Sequence, residues 1–180
     1  PSTRTTNLGH VTRYLDTSEL GAMPVAAVRE RDVREWQVAL QVELGLSAGT
    51  AKGAAITLRS VLRHAVRERM IHESPAAGVP LPKVTRQLVV PHSVRQVRAL
   101  ISEVPEWYAA PLLVGACCGL RVSEVAGLRA DAIDYERGKL RVVRQLVRVT
   151  DDGGGAYLWT EPKSAASVRE VPMPPHVAAA

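Results

Sequence analysis

The stretch GACCGLRVSEVAGLRADAID, residues 115–134, decides how this chain is read. It begins inside YAAPLLVGACCG, 108–119, a run apolar nearly all round that predicts a buried helix. Pro111 must then stand in that helix's first turn or kink it. Gly119 lets the chain turn sharply and places Arg121 at the start of a short helix over about 121–127, anchored by Leu120, Val125 and Leu128. There a planar guanidinium could clamp two phosphate oxygens. Glu124 follows one turn later on the same face. It either orients the arginine through a buried pairing or makes an ordinary i,i+3 surface ion pair. Cys117 and Cys118 are adjacent, which suits neither a disulfide nor a zinc site, so both are read as reduced core residues of an intracellular protein.

C-terminal to this stretch the period changes from helical to alternating. KLRVVRQLVRV, 139–149, predicts a strand, DDGGGA a turn, and AYLWTEP and SVREVPMP two more strands with KSAA as the bend between them. N-terminal to it, Ser93 is placed to cap a helix over VRQVRALISEV, and PLPKVTRQLVVP, 80–91, is proline-rich without helical periodicity. Before that linker every segment reads as helix. RTTNLGHVTRYLDTS, 4–18, is compatible with a short one. RERDVREWQVALQVEL, 29–44, sets Val33, Trp36, Leu40 and Leu44 on one face. Gly45 ends that helix, and Ser47 caps a longer one reaching Met70, with Leu58, Val61, Leu62, Ala65 and Val66 as its apolar face. The expected organisation is a helical unit over 1–80, a linker over 81–91, and a second unit over 92–180 with helices followed by a small antiparallel sheet. The fold class is therefore mainly α with α+β.

The 180 residues carry a formal charge of +5 with a pI of about 9.6, which favours an anionic partner without naming one. Arg59, Arg63 and Arg67 recur every fourth residue on the long helix, opposite its leucines, and Lys52 and Arg69 broaden the basic area. Such a stripe either meets DNA phosphates and a major groove or is a solvated helix face. No stretch is long and apolar enough for a membrane span and no basic-then-apolar leader opens the chain, so a cytoplasmic location is expected.

The box at 115–134 resembles the first arginine motif of the tyrosine recombinases, or phage-type integrases, a pattern of TGLR-x-SE-x-x-x-LR-x-x-DID. Cys118 replaces its threonine and Ala132 its acidic residue. EPKSAASVREVPMPPHV, 161–177, is similar to that family's lysine-bearing β-hairpin, with Val168 and Arg169 where relatives often have two basic residues. VREWQVAL, GLSAGTAKGAAITLRSVLRHAVRERMI and ESPAAGVPLPKV follow the order of the family's core-binding domain.

The resemblance implies site-specific recombination or DNA integration on double-stranded DNA, with no metal or other cofactor and no membrane. A tyrosine hydroxyl attacks a phosphodiester, leaving a 3′-phosphotyrosine that a second 5′-hydroxyl reverses. On this resemblance Arg121 neutralises a non-bridging oxygen, Lys163 protonates the leaving 5′-oxygen, and Glu124 is the acidic residue supporting the arginine. Lys52, Arg59, Arg63 and Arg67 belong to a helical bundle forming one jaw of a DNA clamp. The family acts as a tetramer on two duplexes. Tyr14, Tyr108, Tyr135 and Tyr157 all read as packing or surface residues. The nucleophile is thus expected beyond residue 180, in a longer parent, and the chain alone is expected to bind DNA without cleaving it. Two other readings are a non-catalytic DNA-binding remnant or regulator, and a helical protein-interaction domain with a solvated arginine face.

Overall fold

Ser47 accepts a hydrogen bond from the Thr50 N–H and starts a 20-residue helix, α4 (Ala48–Arg67), in the computed structural model, which describes residues 2–85, 88–151, 154–162 and 164–179. By internal contacts the chain divides into two units, Pro1–Leu88 and Val89–Ala180.

In the first unit α4 packs on α3 (Glu30–Val42), with α1 (Ser2–His10) and a π-helical turn at Val11–Leu15 against α4, and a short α2 (Glu19–Ala22) against α3. Val33, Trp36 and Leu40 of α3 face Ala51, Ala54, Ala55, Leu58 and Leu62 of α4 in one core. The alanines let the two helix backbones approach, since phenylalanine is absent and aliphatic side chains fill the space. Trp36 is buried with its one polar atom satisfied, because Nε1 donates to the Tyr14 carbonyl at 2.9 Å. Buried Thr57 is held in the same way, by the Gly53 carbonyl at 3.1 Å and His10 Nδ1 at 2.9 Å.

Two expected core positions are exposed. Val61, 42% exposed, lies one residue before Leu62 and so about 100° round the helix from the buried stripe. Leu44, 55% exposed, follows the end of α3, where Gly45 at φ +61° turns the chain away. The long helix also stops at Arg67 rather than Met70. Arg69 takes the left-handed conformation at φ +59°, and the Arg69 and Met70 N–H groups close on the Val66 and Ala65 carbonyls.

In the second unit the capping pair Ser93 and Gln96 starts α5 (Val94–Glu103), followed by α6 (Glu106–Cys118), α7 (Val122–Val125) and α8 (Pro175–Ala178). A three-stranded antiparallel sheet runs β1 (Ile133–Asp134), β2 (Lys139–Val142), β5 (Arg169–Pro172), with Leu140 opposite Val171 and Arg141 opposite Glu170. A separate two-stranded ribbon pairs β3 (Gln145–Asp151) with β4 (Gly154–Thr160). Leu140 and Val142 of β2 point into a core with Cys118, Leu120, Met173 and Val177.

The sheet departs from the expected pattern in two ways. The single strand over 139–149 is broken at Val143–Arg144, and the last two strands do not pair with each other: β4 returns on β3, and β5 on β2. The break follows from the close passage of the chain over the end of α7. A Cβ on Gly127 would lie 2.7 Å from Gln145 Cα and 2.8 Å from the Arg144 carbonyl oxygen, so only glycine fits. Arg144 then turns back, with Nε donating to the Gly127 carbonyl at 3.1 Å and the guanidinium 4.2 Å from the Trp159 ring centroid.

The expectation that α6 is buried also needs correction. Among the described residues only Cys118 of this helix is buried, and Cys117 is exposed, because α5, α7 and α8 meet only part of the helix surface. Pro111 sits in the second turn rather than the first.

Candidate active site around Glu124

Gly119 ends α6 in the left-handed conformation at φ +65°, and buried Leu120 pins the next residue against the core. Arg121 is consequently the N-cap of α7, in extended conformation, and its backbone N–H donates to Glu124 Oε2 at 2.9 Å. The same carboxylate takes Arg121 Nη1 on Oε1 at 2.8 Å. From the first strand-rich sheet, Arg169 of β5 completes the set, with Nη1 on Oε1 and Nη2 on Oε2, both at 3.0 Å. Arg169 Nη1 also donates to the Ser167 carbonyl at 3.2 Å.

Four donors thus converge on one carboxylate that is 3% exposed. The Arg169 fork, opposed by burial and reinforced by the Arg121 backbone and side chain, lowers the Glu124 pKa from 4.5 to about 2. The pairing raises the Arg169 pKa in return. The two arginines differ in access: the Arg121 side chain is 71% exposed, against 30% for Arg169. Two guanidinium charges against one carboxylate leave a net positive charge at the site. Its exposed part is Arg121, whose Nε and Nη2 have no partner among the described residues. This geometry resolves the two options open for Glu124 in favour of a buried pairing.

Sequence reasoning missed Arg169, treating it as a minor variation. Its signal was its place in an alternating strand, sharing a face with Val171, which packs on the core. Lys163 lies outside the described residues.

The basic stripe of α4 is only partly a stripe. Arg63 and Arg67 are exposed and Lys52 is half-buried. Arg59 is different: its Nη2 donates to the Val79 carbonyl, and its Nε is buried without a partner among the described residues. It straps the 76–79 segment, where Ala76 and Val79 enter the core, onto α4. Of the tyrosines, Tyr14 packs against the first core, while Tyr108, Tyr135 and Tyr157 are 44%, 63% and 66% exposed. Among the described residues no group of three His, Cys, Asp or Glu is arranged to hold a metal, and no helix is long and apolar enough to cross a membrane.

No protein-family model matches the chain. Individual relatives do. A tyrosine recombinase XerC-like protein of Caldanaerobacter subterraneus is 26% identical over 97% of this chain and 47% of its own length. The tyrosine recombinase XerD of Proteus mirabilis is 29% identical over 86% of this chain and 51% of its own. The Tn1549 transposon integrase, solved in complex with transposon right end DNA, superposes with a TM-score of 0.82 at 26% identity, covering 98% of this chain and 56% of that one. A lambda integrase dimer bound to a core site shares the fold, with a TM-score of 0.61 at 16% identity over 87% of this chain and 52% of that one. Along nearly its whole length the chain is similar to tyrosine recombinases and phage-type integrases. It spans about half the length of the curated relatives it matches.

Proposed function

We propose that residues 1–180 supply the DNA-gripping helices and the first arginine of a site-specific recombinase acting on double-stranded DNA. The observation that carries this reading is the net positive, solvent-facing Arg121 seated on a buried carboxylate. An arginine so held can accept a phosphate without reorganising, which is the condition for electrostatic support of a phosphoryl transition state. The relatives' names and the DNA in the Tn1549 integrase complex support the same substrate class.

In the reaction proposed, Arg121 stabilises the non-bridging oxygens while a tyrosine hydroxyl attacks phosphorus. Lys163 gives a proton to the departing 5′-oxygen, a step worth about 10²- to 10⁴-fold. No metal or other cofactor takes part in this scheme. The four tyrosines of residues 1–180 serve packing and surface roles, and the nucleophile is a different tyrosine. Lys52, Arg63 and Arg67 contact the DNA backbone, with Arg59 holding their helix in place. The active assembly is a tetramer on two duplexes.

The test of substrate class is a salt titration. Binding of the chain to a random-sequence duplex should weaken steeply with salt, with a log–log slope corresponding to several released counterions. Failure to bind duplex at low salt would contradict the reading and favour a protein-interaction domain.

A further inference from the structure

We propose that Arg169 is a positioning residue, which neutralises Glu124 so that Arg121 is presented to an anion rather than consumed by the buried carboxylate. The proposal rests on the reading of Arg121 as a phosphate-binding group. It adds a role for a residue 45 positions away on another element.

The geometry points this way through a division of labour. A buried carboxylate needs a compensating cation, and one guanidinium that meets both its oxygens is the most effective one. Arg169 does this with two parallel bonds at 3.0 Å, from a side chain largely withdrawn from solvent. Arg121 spends only Nη1 and its backbone N–H on the same carboxylate. Without Arg169, Glu124 would have Arg121 as its sole cation among the described residues. The Arg121 guanidinium would then be drawn onto both oxygens, and its net charge towards solvent would be cancelled. The strand carrying Arg169 is fixed for the task by its pairing with β2, where Arg169 lies opposite the buried Val142.

The experiment is a double-mutant cycle on random-sequence duplex affinity at low salt, read with the Arg121 Nε–Hε signal in ¹⁵N-arginine-labelled protein. Arg169→Ala should weaken binding about tenfold, as expected for loss of one well-placed charge-assisted contact. In an Arg121→Ala background the same change should alter affinity less than twofold, and Arg169→Lys should fall between wild type and alanine. The pair Glu124→Met with Arg169→Met removes the buried charges together. It should restore the melting temperature and recover part of the affinity lost in Arg169→Ala, because no carboxylate remains to draw the Arg121 guanidinium in. The pair also keeps the proposal testable if Arg169→Ala does not fold.

An undiminished effect of Arg169→Ala without Arg121, or a methionine pair that binds no better than Arg169→Ala, would overturn the proposal. If Arg121→Ala itself leaves duplex affinity unchanged, the phosphate reading of Arg121 fails. The unliganded Arg121 signal then decides positioning alone: movement in Arg169→Ala supports it, and no movement overturns it.

Discussion

Helices α4 and α6 make an instructive pair. The first mixes arginines, a lysine and a histidine with its apolar residues, yet buries seven side chains; the second is almost wholly apolar and buries one. Apolar content tells how much surface a helix gains by hiding, whereas periodicity tells whether a neighbour can hide it. The contrast extends to the units around them. The first is organised by a closed hydrophobic core, with the arginines of α4 on the outside or used as a strap. The second has a smaller core of its own and, beside it, a buried carboxylate bound by two arginines. Damage to the first should therefore act through packing, and damage at the carboxylate of the second through charge.

The largest effect should come from the closed core. Leu40→Ala, at a position 1% exposed, should cost about 2–5 kcal/mol in denaturant unfolding of the first unit. A loss well below 1 kcal/mol would mean that the core is looser than its burial indicates.

Next comes the buried carboxylate. Because the folded state depresses the Glu124 pKa from 4.5 to about 2, its stabilisation is fully present above about pH 4.5 and lost as the pH falls towards 2. The shift corresponds to roughly 3–4 kcal/mol. Glu124→Gln should lower the melting temperature at pH 7 and flatten the profile between pH 4.5 and 2. An unchanged acid limb in that variant would assign the acid sensitivity to other groups.

A smaller difference separates the arginines of α4. Replacing exposed Arg63 and Arg67 together with alanine should weaken duplex binding and reduce its salt slope by about two, with the melting temperature nearly unchanged. Arg59→Ala should do the reverse, lowering the melting temperature through the lost Val79 bond and moving the salt slope little. Equal behaviour of all three would restore them as one stripe. The smallest expected effect is a gain. Arg69→Gly relieves a left-handed residue at the end of α4 and should add about 0.5–1 kcal/mol in unfolding experiments.

These expectations also mark what was legible in the sequence. The Ser47 cap, the Val33–Trp36–Leu40 face and the turn at Gly119 depend on residues within one or two turns, and periodicity exposes them. The same locality allowed Glu124 to be linked with Arg121, three residues apart. Arg169 was out of reach because its partner is 45 positions earlier, and only the pairing of β5 with β2 brings it there. The break between β2 and β3 was hidden for a related reason. KLRVVRQLVRV has an uninterrupted preference for strand, and the interruption is imposed by contact with Gly127. The bond from Arg59 was hidden because spacing shows which helix face it shares but not that the Val79 carbonyl lies within reach.

The central claim is that Glu124 holds Arg121 as an anion-binding group facing solvent. Its most direct test is the salt dependence of duplex binding by Arg121→Ala beside the unaltered chain. Affinity should be about tenfold lower at low salt and the log–log salt slope smaller by about one, the loss of a single phosphate contact. An Arg121→Ala chain with the wild-type affinity and the wild-type slope would contradict it.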